Sequence, residues 1–216
     1  SNTCAVVIQV TDGANTDTIT VTVNVQDVND NTPTYSSSSN TKSMQENSLV
    51  VDTVLISDSD LDATNSNTCN LGGADSSKFT CTANDSAYVL KFTNGPDYDT
   101  PGDADGDNVY VVTTAINDGT NTGSSITYTL TITDYNDQTP TYTSSDTTPE
   151  VVEGQTAVET VAITDTDALD TNGCILGGAD ADDFSCTISS TQYVLAFASA
   201  PDYDSPSDAD SNNIYV

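Results

Sequence analysis

Apolar residues recur at every second position through much of this chain, the period of a strand with one buried face. Ala5-Val6-Val7-Ile8-Gln9-Val10 is one such run, followed by a turn at Thr11-Asp12-Gly13. Ile19, Val21, Val23 and Val25 then alternate with Thr and Asn in a second. Two strands alone do not make a stable core, so residues 1–33 read as the closing part of a β domain. Residues 34–140 carry the pattern of a complete one. After the polar loop Tyr35-Ser36-Ser37-Ser38-Ser39 and Glu46-Asn47 comes a strand through Val51, Val54 and Ile56, then an acidic turn, Asp58-Ser59-Asp60-Leu61-Asp62. A cysteine-bounded segment, Cys69–Cys81, encloses Leu71-Gly72-Gly73-Ala74-Asp75 and Phe79. Strands follow at Tyr88–Phe92, Val109–Ile116 and Ile126–Thr133, and Tyr88, Leu90 and Phe92, with their partners Tyr193, Leu195 and Phe197 one repeat on, read as core positions. About seven short strands, with turn signals between them and no helical periodicity of useful length, predict an all-β, two-sheet sandwich.

Residues 141–216 repeat the first part of that domain. Glu153, Asp165-Thr166-Asp167, Leu176-Gly177-Gly178-Ala179-Asp180, Phe184, Tyr193-Val194-Leu195-Ala196-Phe197 and Pro201-Asp202-Tyr203-Asp204 all have counterparts about one repeat earlier. Asn213-Ile214-Tyr215-Val216 matches Asn108-Val109-Tyr110-Val111, and Val6 matches Val112, so the end of the chain leads into its beginning one repeat on. That phase predicts a window on a longer array, or a subunit whose last strands come from a neighbour. In either case a fixed period of about 107 residues indicates a repeat protein.

Composition narrows the partners. The chain has 33 Asp and Glu against 3 Lys and Arg, a net charge of −30, and no His or Trp. Nucleic acid and anionic membrane surfaces are excluded, because both require basic surface. So many carboxylates repel one another unless counter-ions bind; the alternative is a solvated acidic face in a salt-adapted protein. Disorder, suggested by the Ser, Thr, Asp and Asn content, conflicts with the β-branched alternation. No apolar run is long enough to span a bilayer, so membrane insertion is not expected here, and a secretion signal or anchor is expected outside this segment.

Cys69 and Cys81 lie twelve positions apart, as do Cys174 and Cys186, each pair at the same place in its repeat. Each pair can close a loop in a disulfide worth about 3 kcal/mol. Without His, and with one pair per repeat, zinc is not expected, and an oxidising, extracellular compartment is. Cys4 is left over. It falls where Tyr110 sits in the complete domain, which predicts a buried thiol, with an intersubunit bridge as the alternative.

The candidate chemistry is metal binding. Asp27-Val28-Asn29-Asp30-Asn31-Thr32-Pro33 returns as Asp134-Tyr135-Asn136-Asp137-Gln138-Thr139-Pro140. Clustered oxygen donors closed by a proline, which cannot continue a sheet ladder, predict a hard-cation site at a domain seam. Asp103, Asp105 and Asp107 have the alternating donors of a calcium loop but lack an EF-hand's closing Glu, so an extra ion and a solvated loop both remain open. Gly72-Gly73-Ala74-Asp75 reads as a turn. Asn84-Asp85-Ser86 is a glycosylation-type triplet for which chance occurrence is sufficient. The absence of His removes Ser-His and Cys-His nucleophile systems. Asp97 and Asp99 could imitate a glycosidase pair but lie in a motif that metal binding explains, so no enzyme is expected.

Taken together, the linker, the acidic turn after an Ile-Ser or Ile-Thr strand end, and the Glu46-Asn47 pair resemble the cadherin repeat family. Leu71-Gly72-Gly73-Ala74-Asp75 with Phe79, and Pro96-Asp97-Tyr98-Asp99 with Asp103-Ala104-Asp105, are most similar to the cadherin-like repeats of large bacterial surface proteins. The resemblance covers essentially the whole chain and implies tandem Greek-key β-sandwiches joined by calcium ions at each linker. Carried over by residue, the first linker would supply Asp27, Asn29, Asp30 and Asn31 with the Val28 carbonyl, and the following domain Asp58, Asp60 and Asp118. At the second, Asp134, Asn136, Asp137 and Gln138, with Tyr135 in the place of Val28, would join Glu46, Asp97 and Asp99 and, from the next domain, Asp165 and Asp167. Two departures stand out: Asp97-Tyr98-Asp99 replaces the family's Asp-Arg-Glu, and Gln138 replaces its final linker Asn.

What the resemblance implies is a calcium-rigidified structural or adhesion repeat in a cell-surface stalk or filament, in contact with neighbouring repeats or copies of itself. The second reading is a module that recognises a surface glycan, a surface protein or its own kind. With no Trp and only 6% aromatic residues, the chain offers few aromatic platforms for sugar, which favours the stalk.

Overall fold

The computed structural model describes residues 2–36, 39–60, 67–143, 146–167, 173–189 and 191–216. Ser37 and Ser38 of the polar loop and Leu61 and Asp62 of the acidic turn lie outside them. The chain divides into two compact units, residues 1–133 and 134–216.

In the first unit the opening alternation forms a hairpin of β1 (Asn2–Thr11) and β2 (Thr16–Val25), paired from Thr11↔Thr16 to Asn2↔Val25. Val6, Ile8, Ile19 and Val23 on it are about half exposed or more. Cys4 is likewise exposed and unbridged, contrary to the buried thiol expected from its alignment with Tyr110. Tyr110 is buried because a second sheet faces it, whereas the hairpin residues around Cys4 are open.

The remaining strands of this unit are β3 (Thr34–Tyr35), β4 (Thr41–Gln45), β5 (Val50–Ser57), β6 (Thr68–Gly72), β7 (Phe79–Ala83), β8 (Ala87–Phe92), β9 (Val109–Asn117) and β10 (Ile126–Thr133). They form two four-stranded sheets, ordered β4-β10-β9-β6 and β3-β5-β8-β7. The chain changes sheet after β3, β4, β5, β6 and β8, and lays down β7–β8 and β9–β10 as hairpins. All pairings are antiparallel except β4 on β10.

Alternation decides what lies between the sheets. Val54, Ile56, Tyr88, Leu90 and Phe92 from one sheet meet Tyr110, Val112, Ile116, Tyr128, Leu130 and Ile132 from the other. Each fully buried side chain of this size contributes about 1.5–3 kcal/mol. The tyrosine hydroxyls are satisfied within the core: Tyr88 Oη is 2.9 Å from Tyr128 Oη and 3.1 Å from Thr114 Oγ1. Tyr128 donates to Asp52 Oδ2 at 3.1 Å, and Lys42 pairs with Asp52 Oδ1 at 3.0 Å. This chain of polar contacts runs from the interior to the edge, so no hydroxyl is buried at the full desolvation cost.

Short strands β6 and β7 occupy the cysteine-bounded segment, where the Thr-, Asn- and Gly-rich sequence gives little alternation. The Cys69–Cys81 disulfide joins them with a Cα–Cα distance of 5.7 Å, tying one sheet to the other. The glycine pair just beyond does more than turn. Gly73 has φ +93°, and a Cβ there would lie 2.8 Å from the Val111 carbonyl oxygen. That close approach lets Asp75 accept the N–H of Ala104 at 2.7 Å and of Val111 at 2.6 Å.

The second unit contains β11 (Thr141–Tyr142), β12 (Ala157–Thr164), β13 (Phe184–Ile188) and β14 (Gln192–Phe197), in one sheet ordered β11-β12-β14-β13. Its Cys174–Cys186 disulfide has a Cα–Cα distance of 6.2 Å. Phe184 and Phe197 stack at 4.6 Å, and Tyr215 stands edge-on to both, as Tyr110 does to Phe79 and Phe92. Tyr193 and Leu195 are only half-buried, where core positions were expected. Among the described residues of this unit no second sheet faces them.

Candidate metal centres

The first linker is held against the acidic turn that follows β5. Asp60 is buried, and its Oδ2 accepts the backbone N–H of Asn31 at 2.8 Å while Oδ1 accepts the Asn31 side-chain amide at 2.5 Å. Asp58 Oδ1 accepts the Asp60 N–H at 3.2 Å, which fixes the turn. Asn29 donates to the Asp118 carbonyl oxygen at 3.2 Å. Linker, acidic turn and the loop after β9, three separate chain segments, thus meet in one place.

Asp118 is almost fully buried. Burial pushes its pKa up, but the backbone N–H groups of Asn121 and Thr120 and the amides of Asn121 and Asn29 outweigh it, leaving the carboxyl below its ordinary value. Asn121 joins this cluster from outside the expected set. Its amide donates to Asn29 Oδ1 at 3.2 Å and to the Asn31 carbonyl oxygen at 2.9 Å. The only signal in the sequence was its place three residues after Asp118, the spacing of a side-chain-capped turn. Asp27, Val28 and Asp30 face solvent.

The second linker repeats the arrangement with one change. Gln138 donates its N–H to Asp167 Oδ2 at 2.9 Å, as Asn31 does to Asp60. Asn31 Nδ2 donates to the preceding Asp30 Oδ1 at 3.1 Å as well as to Asp60; the longer Gln138 side chain keeps the equivalent bond, to Asp137 Oδ1 at 2.7 Å, without the second. Among the described residues, Asp167 Oδ1 is buried with no hydrogen-bond partner, and so is Asp165 Oδ2. Carboxylate oxygens of Asp134 and Asp167 lie within 4.8 Å of each other. Tyr135, Asn136 and Asp137 are exposed.

Buried anionic oxygens without donors are costly, and a hard cation is the partner that oxygen-only donor sets accept. The residues present therefore fit calcium. Chemically such a site binds and positions a cation.

Glu46, Asp97 and Asp99 cluster at the opposite end of the first unit's sandwich. Glu46 is buried and accepts the Tyr98 N–H at 2.7 Å, and Asp97 accepts the Thr100 N–H at 3.0 Å. Glu153 accepts the Tyr203 N–H at 2.9 Å in the same way.

Asp103, Asp105 and Asp107 bring carboxylate oxygens within 4.8 Å of one another. Asp103 accepts the N–H groups of Gly106, Asp107 and Asn108 at 2.7–3.2 Å. The hydrogen bond that the Asp105 carboxyl gives to Asp103, then the charge of Asp107, pushes the Asp105 pKa up. Asp208 accepts the N–H groups of Asn212 and Asn213 at 2.8 and 3.2 Å in the equivalent loop. The loop is thus organised internally by a capping carboxylate.

No protein-family model matches this chain, and no curated protein does. Solved structures do. Repeats EC3–6 of protocadherin gamma B7 align with a TM-score of 0.52 at 20% identity, over 94% of this chain and 51% of that one. Extracellular cadherin domains 1–4 of the same protein give 0.52 at 21% identity, over 94% and 50%. The fold is that of cadherin repeats. Repeats EC1–3 of mouse protocadherin-24 agree, with a TM-score of 0.51 at 18% identity over 94% and 68%. This chain spans about half the length of the protocadherin gamma B7 structures.

Proposed function

We propose that this chain is a calcium-rigidified extracellular repeat in the stalk or filament of a surface adhesin, closest in kind to the cadherin-like repeats of large bacterial surface proteins. The observation that carries the reading is the pair of matching linkers. Each hands a backbone N–H to a buried aspartate of the acidic turn, Asn31 to Asp60 and Gln138 to Asp167. At the second, buried carboxylate oxygens of Asp165 and Asp167 are left for a cation.

Calcium held there would supply positive charge among the carboxylates. Asp58, Asp60, Asp118, Asp134, Asp165 and Asp167 would hold it with the linker residues, and Glu46, Asp97 and Asp99 would serve the second linker as the resemblance implies. Bending a loaded linker pulls carboxylates off the metal, so rigidity follows occupancy. Extracellular calcium modules bind at about 10⁻⁴–10⁻³ M, which lets stiffness report the calcium of the surroundings. The two disulfides agree with an oxidising location. The reading has no catalytic step, consistent with a chain that contains no His.

Small-angle scattering with calcium and with chelator tests it. The maximum dimension is expected to be larger and the profile stiffer with calcium; identical profiles would overturn the proposal. Self-association is the second reading, since the protocadherin gamma B7 repeats EC3–6 form a cis-dimer. A concentration-dependent mass in light scattering with calcium present would favour it.

A further inference from the structure

Asn84-Asp85-Ser86 has no part in metal binding. It forms the turn between β7 and β8, and all three residues are exposed. Asn84 Oδ1 accepts the N–H of Ser86 at 2.9 Å, the N–H of Ala87 at 2.8 Å and the hydroxyl of Ser86 at 3.1 Å. The amide oxygen is therefore occupied. Asn84 Nδ2 makes no hydrogen bond among the described residues and is the part of the amide open to another reactant.

The turn itself does not require asparagine. At the equivalent turn of the second unit, Ser189 donates its N–H to the Gln192 carbonyl oxygen at 2.8 Å, the same closure that Asn84 makes to Ala87 at 2.9 Å. The Ser189 hydroxyl accepts the Thr191 N–H at 3.5 Å in place of the amide. A serine closes this turn, so the free Nδ2 at position 84 is surplus to the fold.

We propose that Asn84 is an N-glycosylation acceptor, with Ser86 as the hydroxyl residue of its triplet. In the reaction Nδ2 attacks the anomeric carbon of an oligosaccharide carried on a polyprenyl diphosphate. A C–N bond forms, the bond from that carbon to the diphosphate oxygen breaks, and the diphosphate leaves with the electron pair. One Nδ2 proton passes to a base of the transferase, and nothing is oxidised or reduced. The donor belongs to the extracytoplasmic, oxidising compartment that the disulfides also require. The sugar would stand beside the acidic turn, because the Ser86 carbonyl oxygen accepts the Ile56 N–H at 2.8 Å, two residues before Asp58.

The test is secretion of the full chain from a eukaryotic cell line with oligosaccharyltransferase activity, followed by mass spectrometry before and after peptide N-glycosidase in heavy-oxygen water. The expected result is a loss of glycan mass, with residue 84 recovered as aspartate bearing the heavy oxygen. Asn84→Gln and Ser86→Ala abolish the modification and Ser86→Thr retains it, while both disulfides still form in all three. Secreted chain with both disulfides closed and Asn84 unmodified overturns the proposal, as does modification that survives Ser86→Ala.

Discussion

Asn31 donates both its backbone N–H, at 2.8 Å, and its side-chain amide, at 2.5 Å, to the carboxylate of Asp60. The linker is therefore docked on the acidic turn. Replacing Asp60 by Ala removes a charge from the proposed ligand set and strips two donors of their acceptor. We expect calcium affinity at this linker to fall at least about tenfold, and the linker itself to lose about 1–3 kcal/mol of local stability. Titration calorimetry measures the first and amide exchange at Asn31 the second. Unchanged calcium affinity would remove Asp60 from the site.

The Cys69–Cys81 bridge ties β6 to β7 across the two sheets. Replacing both cysteines by Ser is expected to cost about 3 kcal/mol through the freed twelve-residue loop. For a domain of about 100 residues that lowers Tm by roughly 12–24 °C, read by calorimetry at fixed calcium.

Tyr128→Phe removes the hydroxyl that joins Tyr88 to Asp52. Tyr88 keeps Thr114 and Asp52 keeps Lys42, so the expected cost is about 1–2 kcal/mol. It should appear as a lower urea midpoint at unchanged slope. A changed slope would mean that the core itself had rearranged.

Asp12 caps the turn between β1 and β2. The backbone N–H of Asn15, then that of Ala14, and the Asn15 side chain hold its carboxyl below the ordinary value. A folded pKa that is lowered gives stabilisation fully present above the unfolded value of about 3.9. It is lost as pH falls through the folded value. Carboxyl-carbon NMR should show Asp12 titrating below that value, with the Ala14 and Asn15 amides loosening in the same range. Titration at or above the ordinary value would mean the cap does not form in solution.

Sequence alone determined the strands of the first unit's core, because alternation at Tyr88, Leu90 and Phe92 and at Tyr128, Leu130 and Ile132 needs only the period of a pleated chain. It also determined the cysteine pairs, whose spacing repeats, and the donor-rich linkers, whose residue types suit a hard cation. Tertiary structure decided the rest. Cys4 shares its alternation with Tyr110, yet it is exposed, since burial depends on what faces a strand. Asn121 entered the cluster around Asp118 because an amide that orients ligands has no signature of its own. Gln138 departs from the linker's final Asn by one methylene: Asn31 reaches both Asp30 and Asp60, whereas Gln138 reaches Asp137 and, among the described residues, leaves Asp167 Oδ1 without a donor. Side-chain reach in three dimensions separates those outcomes, and a list of residue types does not contain it.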